Sequence, residues 1–188
     1  ASVHSFWVKN RGEGDNWYIY HRSMGNTKHL HLNTNDNEAT SPQAWANYGP
    51  VSNAFTVNQA GDTNENNETY VAYAWEQVYG YSHISHWIGN GSSDGAFVYT
   101  GFRPKYILWT STTGSENWRI IDSVRSPFNQ ATLHSFVSTT GAQSNETGLD
   151  ILSNGFKIRT NDAHLNGDGV KYVYWAYADV PFKYANAR

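Results

Sequence analysis

The apolar positions of this chain fall into many short runs of period two, separated by clusters of Gly, Asn, Ser and Asp. No segment sustains a helical period over three turns. Lys28-His29-Leu30-His31-Leu32-Asn33 alternates, which predicts a strand with Leu30 and Leu32 facing inward and His29 and His31 facing solvent. Tyr70 to Val78 and Tyr172 to Val180 are apolar almost throughout, with alanines between the rings, as expected of central strands covered on both faces. His83 to Ile88 and Ala96 to Thr100 flank a Gly/Asn/Ser cluster and read as a hairpin. The loop from Asp36 to Pro50 carries Pro42 and Pro50 and leaves room for a single helical turn. The expected fold is all-β, a β-sandwich of jelly-roll or concanavalin-like type with very little helix.

The pattern also recurs along the chain. Asn16-Trp17-Tyr18-Ile19 answers Asn117-Trp118-Arg119-Ile120, an offset of 101 residues (16 to 117). Phe6-Trp7-Val8 meets Ile107-Leu108-Trp109 and Asn53-Ala54-Phe55 meets Asn154-Gly155-Phe156 at the same offset. The long aromatic runs at Tyr70 and Tyr172 are 102 apart. Four motifs in one order at nearly one spacing predict a duplicated unit. The chain therefore reads as one domain over 1–188, with a first copy at about 5–81, a connecting hairpin at about 82–105 and a second copy at about 106–184.

Composition narrows the chemistry. The chain has no Cys, so disulfides, thiolate catalysis and Cys-ligated metals are excluded. A formal charge of −3 lacks the basic excess that nucleic-acid binding rests on. No run approaches the roughly 20 apolar residues of a membrane-spanning helix, and nothing resembles a signal peptide. The start at Ala1, without Met, is expected of a processed product or an excised piece of a longer protein. With 8 Trp and 13 Tyr beside abundant Asn, Thr, Ser and Gly, the chain has the makings of a surface that meets sugars.

Most acidic residues sit in turn contexts beside Gly and Asn, where carboxylates bond neighbouring amides. Asp122, after Ile120-Ile121, is the acid best placed for burial, but the first copy offers Tyr20 or His21 there and no acid pair forms. The chain is read as non-enzymatic, with no cofactor implied, and a glycosidase as a distant alternative. His29-x-His31 sets two imidazoles about 6–7 Å apart on one strand face, a spacing that chelates a transition metal; a solvated His face is the competing reading. Trp45 and Tyr48, in the Pro-bounded loop, have no aromatic counterparts in the second copy. With Asp36 at the start of that loop they are the candidate ligand-binding residues, although the rings could equally cap the core or fill a subunit interface. The oxygen-rich tracts Asn33 to Glu38 and Asp62 to Glu68 lack calcium-loop spacing.

Gly89-Asn90-Gly91-Ser92, Asp94-Gly95, Phe97 to Pro104, the Asn-Trp dipeptides, Leu152 to Arg159 and the closing Tyr174 to Ala185 carry a resemblance. Together they resemble an uncharacterised domain family found in tail and tail-fibre proteins of marine and other environmental phages. The resemblance spans essentially the whole chain. It implies a virion structural module, extracellular, assembled with other virion subunits as a homo-oligomer, with a trimer as one form and a host-surface glycan as the outer contact. In a trimer the His29 and His31 pairs could meet on the axis around one ion. A stand-alone carbohydrate-binding lectin is the alternative expectation.

Overall fold

A computed structural model describes residues 2–179; Val180 and the closing motif from Pro181 onward, with the end of the second copy, lie outside the described residues. The fold is all-β, 44% strand and 8% helix, with two sheets forming a sandwich-like arrangement. Sheet one contains β1 (Val3–Asn10), β2 (Tyr18–His21), β3 (Lys28–His31), β4 (Ala39–Thr40) and β5 (Tyr70–Glu76), in the order β4-β3-β2-β1-β5. Sheet two contains β6 (Ser82–Ile88), β7 (Phe97–Tyr99), β8 (Pro104–Ser111), β9 (Arg119–Asp122), β10 (Ala131–Phe136), β11 (Ser144–Leu152), β12 (Gly155–Ile158) and β13 (Lys171–Ala178). Its order is β6-β13-β8-β9-β10-β11-β12-β7. Among the described residues, three single-turn α-helices, α1 (Pro42–Trp45), α2 (Gly61–Asn64) and α3 (Ala163–Asn166), and one 3-10 turn (Arg22–Met24) interrupt the strands. No helix among the described residues is long and apolar enough to cross a membrane.

Alternation divides the side chains into three apolar layers. Phe6, Val8 and Tyr20 project from the outer face of sheet one and are roofed by Ala44 and Trp45 of α1. Ile19 and Leu30 project from its inner face onto Leu108, Val173 and Trp175 of sheet two. The opposite face of sheet two curls around a core of its own, in which Trp87 of β6 stacks on Tyr172 of β13 at 4.9 Å and meets Phe156 of β12 edge-on at 5.6 Å. Trp118 ties the sheets together through its indole N–H, which donates to the carbonyl of His31 at 2.7 Å.

Two strand expectations need correction. Strand β13 is central, between β6 and β8, and buried on both faces. Strand β5, read as equally central, is an edge: among the described residues it pairs with β1 alone, and Tyr73 is 51% exposed. The segments β6 and β7 were expected to pair as a hairpin, yet they occupy opposite edges of sheet two. The turn between them is held instead by α3. The fully buried Asn166 donates from Nδ2 to Oδ1 of Asn90 (2.8 Å) and the carbonyls of Ser92 (2.7 Å) and Thr160 (2.9 Å). Its Oδ1 accepts from the Asn90 amide at 3.0 Å. The Gly/Asn cluster thus bends across the mouth of the curled sheet instead of folding back on itself.

Like contacts recur in the two parts of the chain. The order β4-β3-β2-β1-β5 parallels β11-β10-β9-β8-β13. The Tyr70 hydroxyl donates to the Gly61 carbonyl and accepts from the Glu65 amide; the Tyr172 hydroxyl does the same with Ala163 and Gly167.

Two predictions follow from these layers. Asn166→Ala removes the bonds that pin the 89–95 turn and leaves buried partners unmatched, so it is expected to lower the unfolding free energy by about 2–4 kcal/mol in urea denaturation. His21 is fully buried, edge-on to Trp175 at 4.7 Å, and burial draws its pKa down from 6.5 to about 3. Burial draws His29 down to about 4. The unfolded chain takes up protons below about pH 6.5, while these folded imidazoles stay neutral. Stability is therefore expected to be full above that pH and to fall as the pH drops toward 4. A denaturation midpoint unchanged across that window would contradict the assignment.

Candidate functional site

The inner face of sheet one is wider than the contact it makes with sheet two. At the β5 edge, Tyr73 and Trp75 lie on the same face, two residues apart, and Tyr73 stands opposite Trp7 of β1. Trp7 and Trp75 meet at 4.4 Å, Tyr73 and Trp75 at 6.1 Å, and Tyr73 stacks with Trp17 at 6.2 Å. Across from them, β8 and β13 contribute Tyr106, Leu108, Trp175 and Tyr177. A cavity of about 250 Å³ lies between Trp7, Trp75, Tyr106, Leu108, Trp175 and Tyr177. A second, of about 290 Å³, adjoins it over Trp7, Trp17, Leu32, Tyr73 and Trp75. Shared walls at Trp7 and Trp75 make the two one aromatic groove.

Among the described residues, no charged side chain lines this groove. Its polar groups are indole N–H and tyrosine O–H, both hydrogen-bond donors. The indole nitrogens of Trp7 and Trp175 are buried without a partner. Burial raises the Tyr106 pKa to about 12 and moves Tyr177 upward as well, so both hydroxyls stay protonated at neutral pH. At the Trp17 end, Asn33 accepts from the Trp17 amide at 2.9 Å and donates to Asn16 at 2.7 Å, which sets two exposed amides beside the ring. The groove can therefore hold a neutral ligand with apolar faces and hydroxyl groups.

The residues singled out from the sequence are placed elsewhere. Trp45 is 0% exposed; it packs edge-on to Phe6 at 4.8 Å and donates from Nε1 to the Lys28 carbonyl at 2.9 Å. It is a core residue and offers no ring to a ligand. Tyr48, two residues past the turn, is exposed, and Asp36 is exposed, accepting from the Thr34 hydroxyl at 2.8 Å. Trp45, Tyr48 and Asp36 line neither part of the groove. The alternation at β3 holds, with Leu30 inward and both histidines on the opposite face, but that face is not solvated. Tyr18 covers it, stacking on His29 at 4.5 Å and meeting His31 at 4.7 Å. The ring centroids of the two imidazoles lie 5.1 Å apart, and Asp36 comes to 3.4 Å from Nδ1 of His31, but among the described residues the three do not gather their ligand atoms closely enough to form a metal-binding group. Asp62 accepts from the Tyr18 hydroxyl at 2.8 Å. Asp122 is held by Arg125 at 2.5 Å.

The rings of the groove come from five separate strands and turns, so no single segment discloses it. The one local signal is the Tyr73/Trp75 spacing, which by itself also fits a strand covered on both sides.

The different placements of Trp45 and Tyr48 are separable by mutation. Trp45→Ala empties a packed site and is expected to cost about 3–5 kcal/mol, whereas Tyr48→Ala is expected to stay within about 0.5 kcal/mol of the parent, both read by urea denaturation.

No curated protein and no solved structure matches the chain. One family model does, over residues 2–181, described as a domain of unknown function, DUF7483. That match covers nearly the whole chain, and with the all-β sandwich it supports a single assignment: the chain belongs to the DUF7483 family.

Proposed function

We propose that this domain is a non-enzymatic recognition module that binds a neutral glycan in the aromatic groove between its sheets, and that it serves as a surface component of a phage tail or tail fibre. The observation that carries the binding half is the groove. Trp7, Trp17, Tyr73 and Trp75 line one wall with no charge among them. Sugar rings present C–H faces that pack on aromatic rings, while their hydroxyls accept from indole N–H and tyrosine O–H groups. Phosphate-bearing ligands find no cation in this lining among the described residues. The virion half is supported by the sequence resemblance.

The parallel strand orders and the parallel Tyr70 and Tyr172 bonds support a further part of the reading, that the two halves arose by duplication. On that reading β6, which completes β13, has no counterpart beside β5. The β5 edge, unpaired on that side among the described residues, then supports assembly with a second copy of the chain by strand pairing. A stand-alone lectin is the alternative, and solution mass separates the two: a stable oligomer favours the fibre module and a monomer the lectin.

Binding is tested on a broad array of neutral glycans with the purified chain. Binding by the parent is expected to weaken roughly three- to tenfold in Tyr73→Ala, with an unchanged circular dichroism spectrum. Absence of glycan binding, or binding indifferent to Tyr73 and Trp17 substitution, would overturn the groove as the site.

A further inference from the structure

Sheet two carries a second cluster, on the face opposite the one that meets sheet one, at the end of its curled core. Arg119 of β9, His134 of β10 and Glu146 of β11 project from neighbouring strands, and His164 of α3 closes over them. His134 is fully buried. Its Nε2 and that of His164 are both buried with no hydrogen-bond partner. A buried imidazole nitrogen without a partner loses hydration and gains nothing in return, so two in one cluster call for a ligand that both can face.

The spacing suits a metal ion. His134, Glu146 and His164 each offer one ligand atom, and these lie within 4.8 Å of one another. Glu146 Oε2 and His164 Nε2 are 3.6 Å apart. A tetrahedral zinc with bonds of about 2.0–2.1 Å holds its ligand atoms about 3.4 Å apart, so only a small closure is required. The backbone leaves room beside His134. A Cβ at Gly148 would lie 1.9 Å from the Ala131 carbonyl oxygen and 3.2 Å from His134 Nε2, so glycine is needed for the strand approach and keeps the space by that nitrogen open.

We propose that His134, Glu146 and His164 form a binding site for a divalent transition metal of the zinc class, joining β10, β11 and α3. Two imidazoles and one carboxylate are the nitrogen and oxygen donors such ions take, and three protein ligands leave a fourth position for water or a bound group. Arg119 is the competing cation. Its Nη1 donates to Glu146 Oε2 at 2.7 Å and lies 3.3 Å from Nδ1 of His134. Coordination through Nε2 places the His134 proton on Nδ1, so the guanidinium must leave that nitrogen and remain with Glu146 as an outer partner. Glu116 and Asp162 also act on the cluster, and with Glu146 their negative charge exceeds that of Arg119.

The test titrates the chelator-treated full chain with zinc by calorimetry and with cobalt(II) by absorption. One ion per chain is expected, with a higher melting temperature and the ligand-field bands of four-coordinate cobalt. Glu146→Gln and His164→Gln, both at the rim of the core, are each expected to weaken binding at least tenfold, since even outer partners cost about 10–100-fold. His31→Gln is expected to leave binding unchanged. No binding by the parent, or binding lost in His31→Gln and kept in the other two, overturns the site. If one rim variant fails to fold, the other and the parent cobalt spectrum still decide.

Discussion

The structure depends on one strand being buried on both faces. Val173 and Trp175 of β13 face sheet one, while Tyr172, Tyr174 and Ala176 face the curled interior of sheet two, and all five are at most 1% exposed. The strand is a shared wall between two cores, and the chain has no disulfide to staple across it. Both neighbours are needed to satisfy its backbone, β6 on one side and β8 on the other. From this follows the position of the 89–95 turn. With β6 committed to β13 and β7 to β12, the turn must span the sheet's open mouth, which is why it is anchored on a buried asparagine instead of closing a hairpin.

The same constraint explains what the sequence revealed and what it hid. Period-two alternation is a local property, so the strands, the inward Leu30 and the single helical turn after Ser41 could be read directly. The neighbours of a strand are not local. Tyr70 to Val78 and Tyr172 to Val180 look alike as text, yet one is an edge and the other a wall, because only the second has a further strand beside it. A continuous apolar run signals two covered faces, but in β5 the rings of Tyr73 and Trp75 line a groove and Ala72 and Ala74 are exposed. Trp45 misled for the converse reason. Its loop is polar and proline-bounded, as binding loops are, but a roof over Phe6 and Tyr20 was needed and the ring supplies it. The histidines of β3 were correctly placed on one face; that Tyr18 would cover them depends on a cross-strand neighbour whose register no single segment discloses.

The groove and the histidine cluster lie on opposite faces of sheet two and differ in chemistry for a structural reason. The groove forms where the two sheets diverge at an edge, so its walls are side chains prepared for a core, aromatic and uncharged. The cluster forms where the curled sheet opens at its end, so its residues begin as core positions and finish near solvent. Arg119 is 7% exposed and lies over the Phe136 ring, while its partner Glu146 is substantially more open. A buried guanidinium has to be matched by an anion, and in this fold that anion is Glu146 of β11.

The strand parallels sharpen this point. Tyr18, His29 and Asp62 occupy the places in sheet one that Arg119, His134 and His164 occupy in sheet two: the same strand positions, and the second residue of a single-turn helix. In sheet one the central group is a neutral phenol bonded to Asp62, and the histidine beside it stacks on that ring. In sheet two the central group is a permanent cation, the helix brings an imidazole instead of a carboxylate, and a third ligand arrives on β11. Strand β4, in the corresponding place, has two residues against nine in β11 and brings no carboxylate to this face. A histidine stands at the corresponding strand position in both sheets, and three candidate ligands gather only where the neighbouring strand, β11, also brings a carboxylate to that face.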